Sequence, residues 1–193
     1  MGTEFARMGI VYGHLIACCV AIGLVLTSDL VVIKHLITGN ADEMLSADHL
    51  EGLQKTVSLA LLGLWITGAA LVTLDAGAKG WGILNNPKLQ SKIAVVALLT
   101  LNGQLLHLYV LPVMRTSGSL LNMTFGQRNL AIFAGSVSGV SWFYAAMLGI
   151  ARPLNWNYSV FEILAAYPLL ISGSFVFMAL LTNWSQRKAN ARH

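Results

Sequence analysis

Residues 9–28 read GIVYGHLIACCVAIGLVLTS, a run without a single formal charge. At a helical rise of about 1.5 Å per residue it is about 30 Å long, the thickness of a bilayer's hydrocarbon core. The run meets Asp29, resumes as Leu30–Ile33 and stops at Lys34. It is too long for the h-region of a cleavable signal peptide, so 9–33 reads as a spanning helix. Four further segments pass the same length test. They are 53–74, charge-free from Thr56; 90–114, charge-free from Ile93 yet holding Asn102, Gln104 and His107; 129–151, rich in Gly, Ser and Ala; and 161–182, charge-free after Glu162.

The sequence thus predicts an all-α, polytopic transmembrane bundle with five spanning helices, occupying 9–182 as one domain. Residues 1–8, opening Met1-Gly2-Thr3-Glu4-Phe5, are expected to be a cloning remnant and an N-terminal tail, with Met8 near the native start. Residues 183–193 are expected to be a basic C-terminal tail. Composition agrees: 56% of the 193 residues are hydrophobic and 10% charged, against about a quarter charged in soluble domains. The net charge of +4 does not indicate nucleic acid, because its Lys and Arg are scattered through loops and termini, where membrane flanks carry them anyway. Cys18 and Cys19 are neighbours on one helix, about 100° apart, so no disulfide between them is expected.

Boundary chemistry fits this division. Gly39-Asn40 breaks the chain after the first helix. Ser46 is a candidate cap with Asp48 and Glu51 in the following turns, and Glu51 and Lys55 are spaced for an ion pair. Asn86-Pro87 is a cap followed by a first-turn proline. Gly118 and Gly126 bracket a polar turn, and Arg152-Pro153 ends the fourth helix. Trp81, Trp156, Tyr158 and Trp184 fall near helix ends, as an aromatic belt requires. Pro112 and Pro168 are positioned to kink the third and fifth helices. With the N-terminal side called A and the opposite side B, Lys and Arg are in excess on B, which favours N-out, C-in.

Asn86-Pro87-Lys88-Leu89-Gln90-Ser91-Lys92 running into Leu98–His107, together with Leu148-Gly149-Ile150-Ala151-Arg152-Pro153, resembles a group of small bacterial integral membrane proteins without an assigned activity. The resemblance implies a bacterial inner-membrane location and carries over no site residue.

Ionisable groups within a span are costly, so each is a functional candidate. Thr100, Gln104 and His107 form one polar stripe, expected to face the bundle interior as a ligand or proton site. The competing reading is an interhelical hydrogen-bond cluster. Asp29 joins them as a candidate, with interfacial solvation at side B the reading set against it. His107, His35, His49 and Asp29 collect toward side B with Asp42, Glu43, Asp48 and Glu51, a donor set that suits a divalent transition metal or a proton relay. His14 and His107 differ by about 13 Å in height, which disfavours one bis-His haem, so a divalent metal ion is expected ahead of haem. Cys18 and Cys19 are soft-metal candidates, against the reading that buried thiols are small hydrophobes. Gly135 and Gly139 have small-xxx-small spacing, suited to close packing in the bundle or to a homo-oligomer. No Walker A, Rossmann, HExxH or nucleophile-elbow motif is present, so a soluble-type enzyme is not expected.

These features favour a small bacterial inner-membrane protein that handles a cation or proton, as transporter, channel or metal-binding component. His107 ranks first and Asp29 second. The alternatives are a membrane redox protein binding haem or quinone, through His107 with His35 or His49, and a structural subunit without a ligand.

Overall fold

The computed structural model describes residues 2–38, 47–118 and 120–190. Five helices are long and apolar enough to cross a membrane: α1 (Gly2–Thr38), α2 (Ala47–Lys79), α3 (Pro87–Ser117), α4 (Phe125–Ile150) and α5, built of Val160–Leu164 and Ala166–Asn190. The fold is an all-α bundle of five such helices.

Small residues set the closest approaches, as expected where lipid removes the hydrophobic drive between helices. α1 and α2 form a tight antiparallel hairpin. A Cβ added to Gly63 would touch Ala17 Cβ at 3.7 Å, and Ala21 and Ala60 are buried in the same seam. The Gly-, Ser- and Ala-rich α4 is the hub, packing against α1, α3 and α5. Its buried positions include Ala131, Ala134, Ser136, Ser141 and Ala145. An apolar layer of Ala21, Val25, Ala60, Leu64, Leu99 and Trp142 joins α1 through α4. A second cluster of Val95, Tyr144, Leu148, Ile163 and Tyr167 joins α3, α4 and α5.

Helix ends follow local chemistry. Asn86 caps α3, its side chain accepting from the Lys88 N–H at 3.0 Å, with Pro87 in the first turn. Thr124 and Gln127 form a capping box on α4, so Gly126 lies inside that helix instead of bounding a turn. Ser159 and Glu162 form another on α5. Gly118 ends α3 with a φ of 68°, a left-handed geometry that glycine adopts without steric cost. Gly39, Asn40 and Ser46 lie outside the described residues.

Both interior prolines disturb their helices. Pro112 cannot donate to the carbonyl one turn back, and the turn before it, Leu106–Val110, is a π-helix in which the Leu111 N–H bonds to Leu106 O. Near Pro168, α5 is interrupted at Ala165. There the Tyr144 hydroxyl donates to Ile163 O, and Tyr167 shares a hydrogen bond of 2.7 Å with Ser141.

Three expectations change. α1 is already helical from Gly2, where a tail was expected, and Arg7 ties this extension to α2 through Asp75 at 3.2 Å. α5 continues to Asn190 because its last turns still pack: Thr182 and Ser185 are buried, and Lys188 Nζ donates to Ile37 O at 3.3 Å. Glu51 pairs with Arg115 of α3 at 3.0 Å, not with Lys55.

An odd number of crossings puts the termini on opposite faces. Reporter fusions at residue 1 and at residue 193 are therefore expected to read opposite compartments, and the same compartment for both would refute the five-span arrangement. Inside the bundle, Asn102 Nδ2 donates to Ala134 O at 2.8 Å. Asn102→Leu is expected to lower stability in detergent by about 1 kcal/mol, the scale of an interhelical hydrogen bond.

Candidate functional site

α3 turns a different face inward from the one its polar stripe suggested. Its buried residues are Ser91, Val95, Leu99, Asn102 and Val110. Asn102 and His107 are about 140° apart on a regular helix, and His107 lies within the π turn. Thr100 is partly buried, whereas Gln104 and His107 are exposed. The stripe runs along the seam with α2. Trp65 Nε1 donates to Thr100 Oγ1 at 3.0 Å, the Gln54 amide meets His107 Nδ1, and Glu51 meets Arg115. Among the described residues no inward pocket surrounds His107; the histidine clasps α3 to α2.

The other histidines are dispersed. His14 Nδ1 is 2.7 Å from Thr67 Oγ1. His14 and His107 thus address α2 at Thr67 and Gln54, levels about 20 Å apart along that helix, far from the spacing of a shared haem iron. His35 Nδ1 is buried without a hydrogen-bond partner. The His49 and Asp48 side chains, and Asp42 and Glu43 altogether, lie outside the described residues. Among the described residues, no three His, Cys, Asp or Glu side chains gather closely enough to hold a metal ion. That includes the expected set of His107, His35 and Asp29. Cys18 packs on the apolar layer and Cys19 is exposed, so the two thiols do not converge.

Asp29 is the residue placed most unlike its expectation. The carboxylate does not lie at the side B surface. A Cβ placed on Gly139 would stand 3.2 Å from Asp29 Oδ2, and Gly139 lies close to the midpoint of α4. The reason is the length of α1, which runs well past Asp29 to Thr38. The partly buried carboxylate has no hydrogen-bond or ion-pair partner among the described residues. Any side chain larger than hydrogen at 139 would displace it. Gly139 therefore serves a contact within one chain, while a Cβ on Gly135 would meet nothing within 4 Å.

The surroundings of Asp29 differ along the bundle. Toward side A, one turn away on α1, begins the apolar layer of Val25, Ala21, Leu99 and Trp142. Toward side B, one turn from Gly139 on α4, Ser136 Oγ is buried and unpartnered. Farther that way Arg128 is buried, its guanidinium carbon 5.9 Å from the Phe125 ring centroid. Arg128, Ile132, Ser136 and Gly139 lie on one face at helical spacing, a signal the sequence already held. Asn102 was visible only as one polar residue among several. Lys92, counted as a flank, projects inward, as its neighbour Lys88 and the following uncharged run could have indicated.

No protein-family model, curated protein or solved structure matches this chain.

If His107 serves the α2–α3 seam, a double-mutant cycle of His107→Ala and Gln54→Ala should give a coupling of at most about 1 kcal/mol, with little further loss in the double variant. Strictly additive losses in thermal melts would remove that pairing.

Proposed function

We propose that this is a multi-pass membrane protein that handles a proton or small cation, with the Asp29 carboxylate as the carrying group. The observation that carries the reading is an acidic side chain facing the middle of a spanning helix, without a counter-charge among the described residues, in a notch that Gly139 leaves open. Ionisable groups at such depth are expensive and mark proton or ion pathways. A carboxylate there is neutralised by taking up a proton or pairing with a cation, and reverts on release.

The apolar layer separates Asp29 from side A, and the free hydroxyl of Ser136 lies on its side B flank. That polar flank favours loading of Asp29 from side B. Release to side A then requires the layer around Trp142 to part, an alternating-access step between the α1–α2 hairpin and α4. The resemblance to small bacterial membrane proteins supports the bacterial inner membrane. Five Lys and Arg on side A against seven on side B support N-out, C-in.

The test is flux in proteoliposomes, with a pH-sensitive dye inside and a potassium or sodium gradient imposed. Wild-type protein should dissipate a proton or cation gradient faster than empty vesicles. Asp29→Asn, nearly the same shape but unable to ionise, should abolish this while eluting and melting like wild type. His107→Ala should retain flux. An Asp29→Asn variant as active as wild type, or wild-type vesicles no leakier than empty ones under every gradient, would end this reading.

A further inference from the structure

The side A end carries a second charged feature, separate from Asp29. Lys88 and Lys92 occupy the first two turns of α3, four residues apart, and Arg152 lies just beyond the end of α4. The loop bearing Arg152 is tied to the start of α3 by Asn86 Nδ2 donating to Asn155 Oδ1 at 3.3 Å. Lys88 is within Coulomb range of both Arg152 and Lys92. Lys92 reaches back into the bundle. Its Nζ is 3.9 Å from the position of a Cβ on Gly149, and it acts electrostatically on His14 and Cys18 of α1. Among the described residues no carboxylate answers these cations. Asp75 is taken by Arg7 and Glu162 by Ser159, and none of the three cations has an ion pair.

Positive charge is doubly unfavourable here. A helix N-terminus is the positive end of the dipole, which favours an anion and disfavours lysines, and Asn86 satisfies the Lys88 N–H without supplying a negative charge. Lys88 and Lys92 are also partly buried while Arg152 is exposed, and holding the two ammonium groups away from water costs free energy unless an anion offsets it. One anionic group in front of α3 relieves both costs.

We propose that Lys88, Lys92 and Arg152 form a phosphate-binding site at the side A face, between the start of α3, the end of α4 and α1. The Arg152 guanidinium supplies a planar fork of donors, and the two ammonium groups supply charge without geometric demand. Phospholipid headgroups and free phosphate share this chemistry. The lipid source suits the position better, because the cations lie where the uncharged runs of α3 and α4 meet the interface, beside Ile93 and Ile150.

The test uses the full chain in a neutral maltoside detergent. It is melted with phosphatidylglycerol, phosphatidylcholine or inorganic phosphate, and retained lipid is read by native mass spectrometry. Phosphatidylglycerol should raise the melting temperature and stay bound, and phosphatidylcholine should do neither. Lys88→Gln, Lys92→Gln and Arg152→Gln should each weaken phosphatidylglycerol binding by about fivefold, the worth of one cation at an anionic surface. Lys92→Arg should retain binding, which separates lost charge from a folding defect. Lys79→Gln, at the end of α2, should leave it unchanged. Stabilisation by inorganic phosphate that the same three variants lose would keep the site and make free phosphate its source. No preference for phosphatidylglycerol together with no response to phosphate would overturn the proposal. So would an equal loss in Lys79→Gln.

Discussion

Inside hydrocarbon a backbone carbonyl has no water to turn to, and the two interior prolines show how this chain meets that constraint. At Pro112 the helix widens into a π turn, keeping the ladder continuous with a bond from Leu111 to Leu106. At Pro168 the helix is interrupted, and a neighbour completes it: Tyr144 reaches from α4 to Ile163 O while Tyr167 meets Ser141. The second solution requires α4 and α5 to stay in register. Because α4 is also the helix that α1 and α3 pack on, that register bears on the contacts they make with it, Asn102 on Ala134 O and Asp29 against Gly139.

Three charges depart from the usual rule that ionisable groups stay in the flanks. Asp29 faces Gly139, Lys92 faces Gly149 and Arg128 is buried near the start of α4. Asp29 and Lys92 lie against glycines of α4 and Arg128 belongs to α4 itself; a Cβ on Gly139 would crowd Asp29 at 3.2 Å, whereas one on Gly149 would make only ordinary contact with Lys92. The small residues of α4 therefore do more than allow tight packing. Near the middle of the helix, Gly139 leaves the space that the Asp29 carboxylate occupies.

The sequence was a good guide to whatever depends on one helix at a time. Run lengths gave five spans, and Asn86-Pro87 and Arg152-Pro153 marked ends that the structure places within a residue or two. It was a poor guide to which face turns inward. The spacing of Thr100, Gln104 and His107 defines a stripe, but only the neighbours decide whether it meets a cavity or the edge of another helix. Here Trp65 and Gln54 met it. Depth was misjudged for a related reason. Counting from Gly9 put Asp29 near side B, but α1 extends beyond both ends of the apolar run, so its level is set by contact with α4 instead of by its own composition.

The α2–α3 seam differs from the other joints. α1 with α2, and α3 with α4 and α5, pack closely through neighbours in the chain, whereas α2 and α3 make scarcely any close backbone contact. What spans the seam are long side chains: Glu51 to Arg115, Gln54 to His107 and Trp65 to Thr100. The molecule is thus two modules assembled from sequence-local contacts, which form quickly. The α2–α3 seam is held by reach rather than by fit, so any change in the spacing of the two modules would act first on these three side-chain contacts.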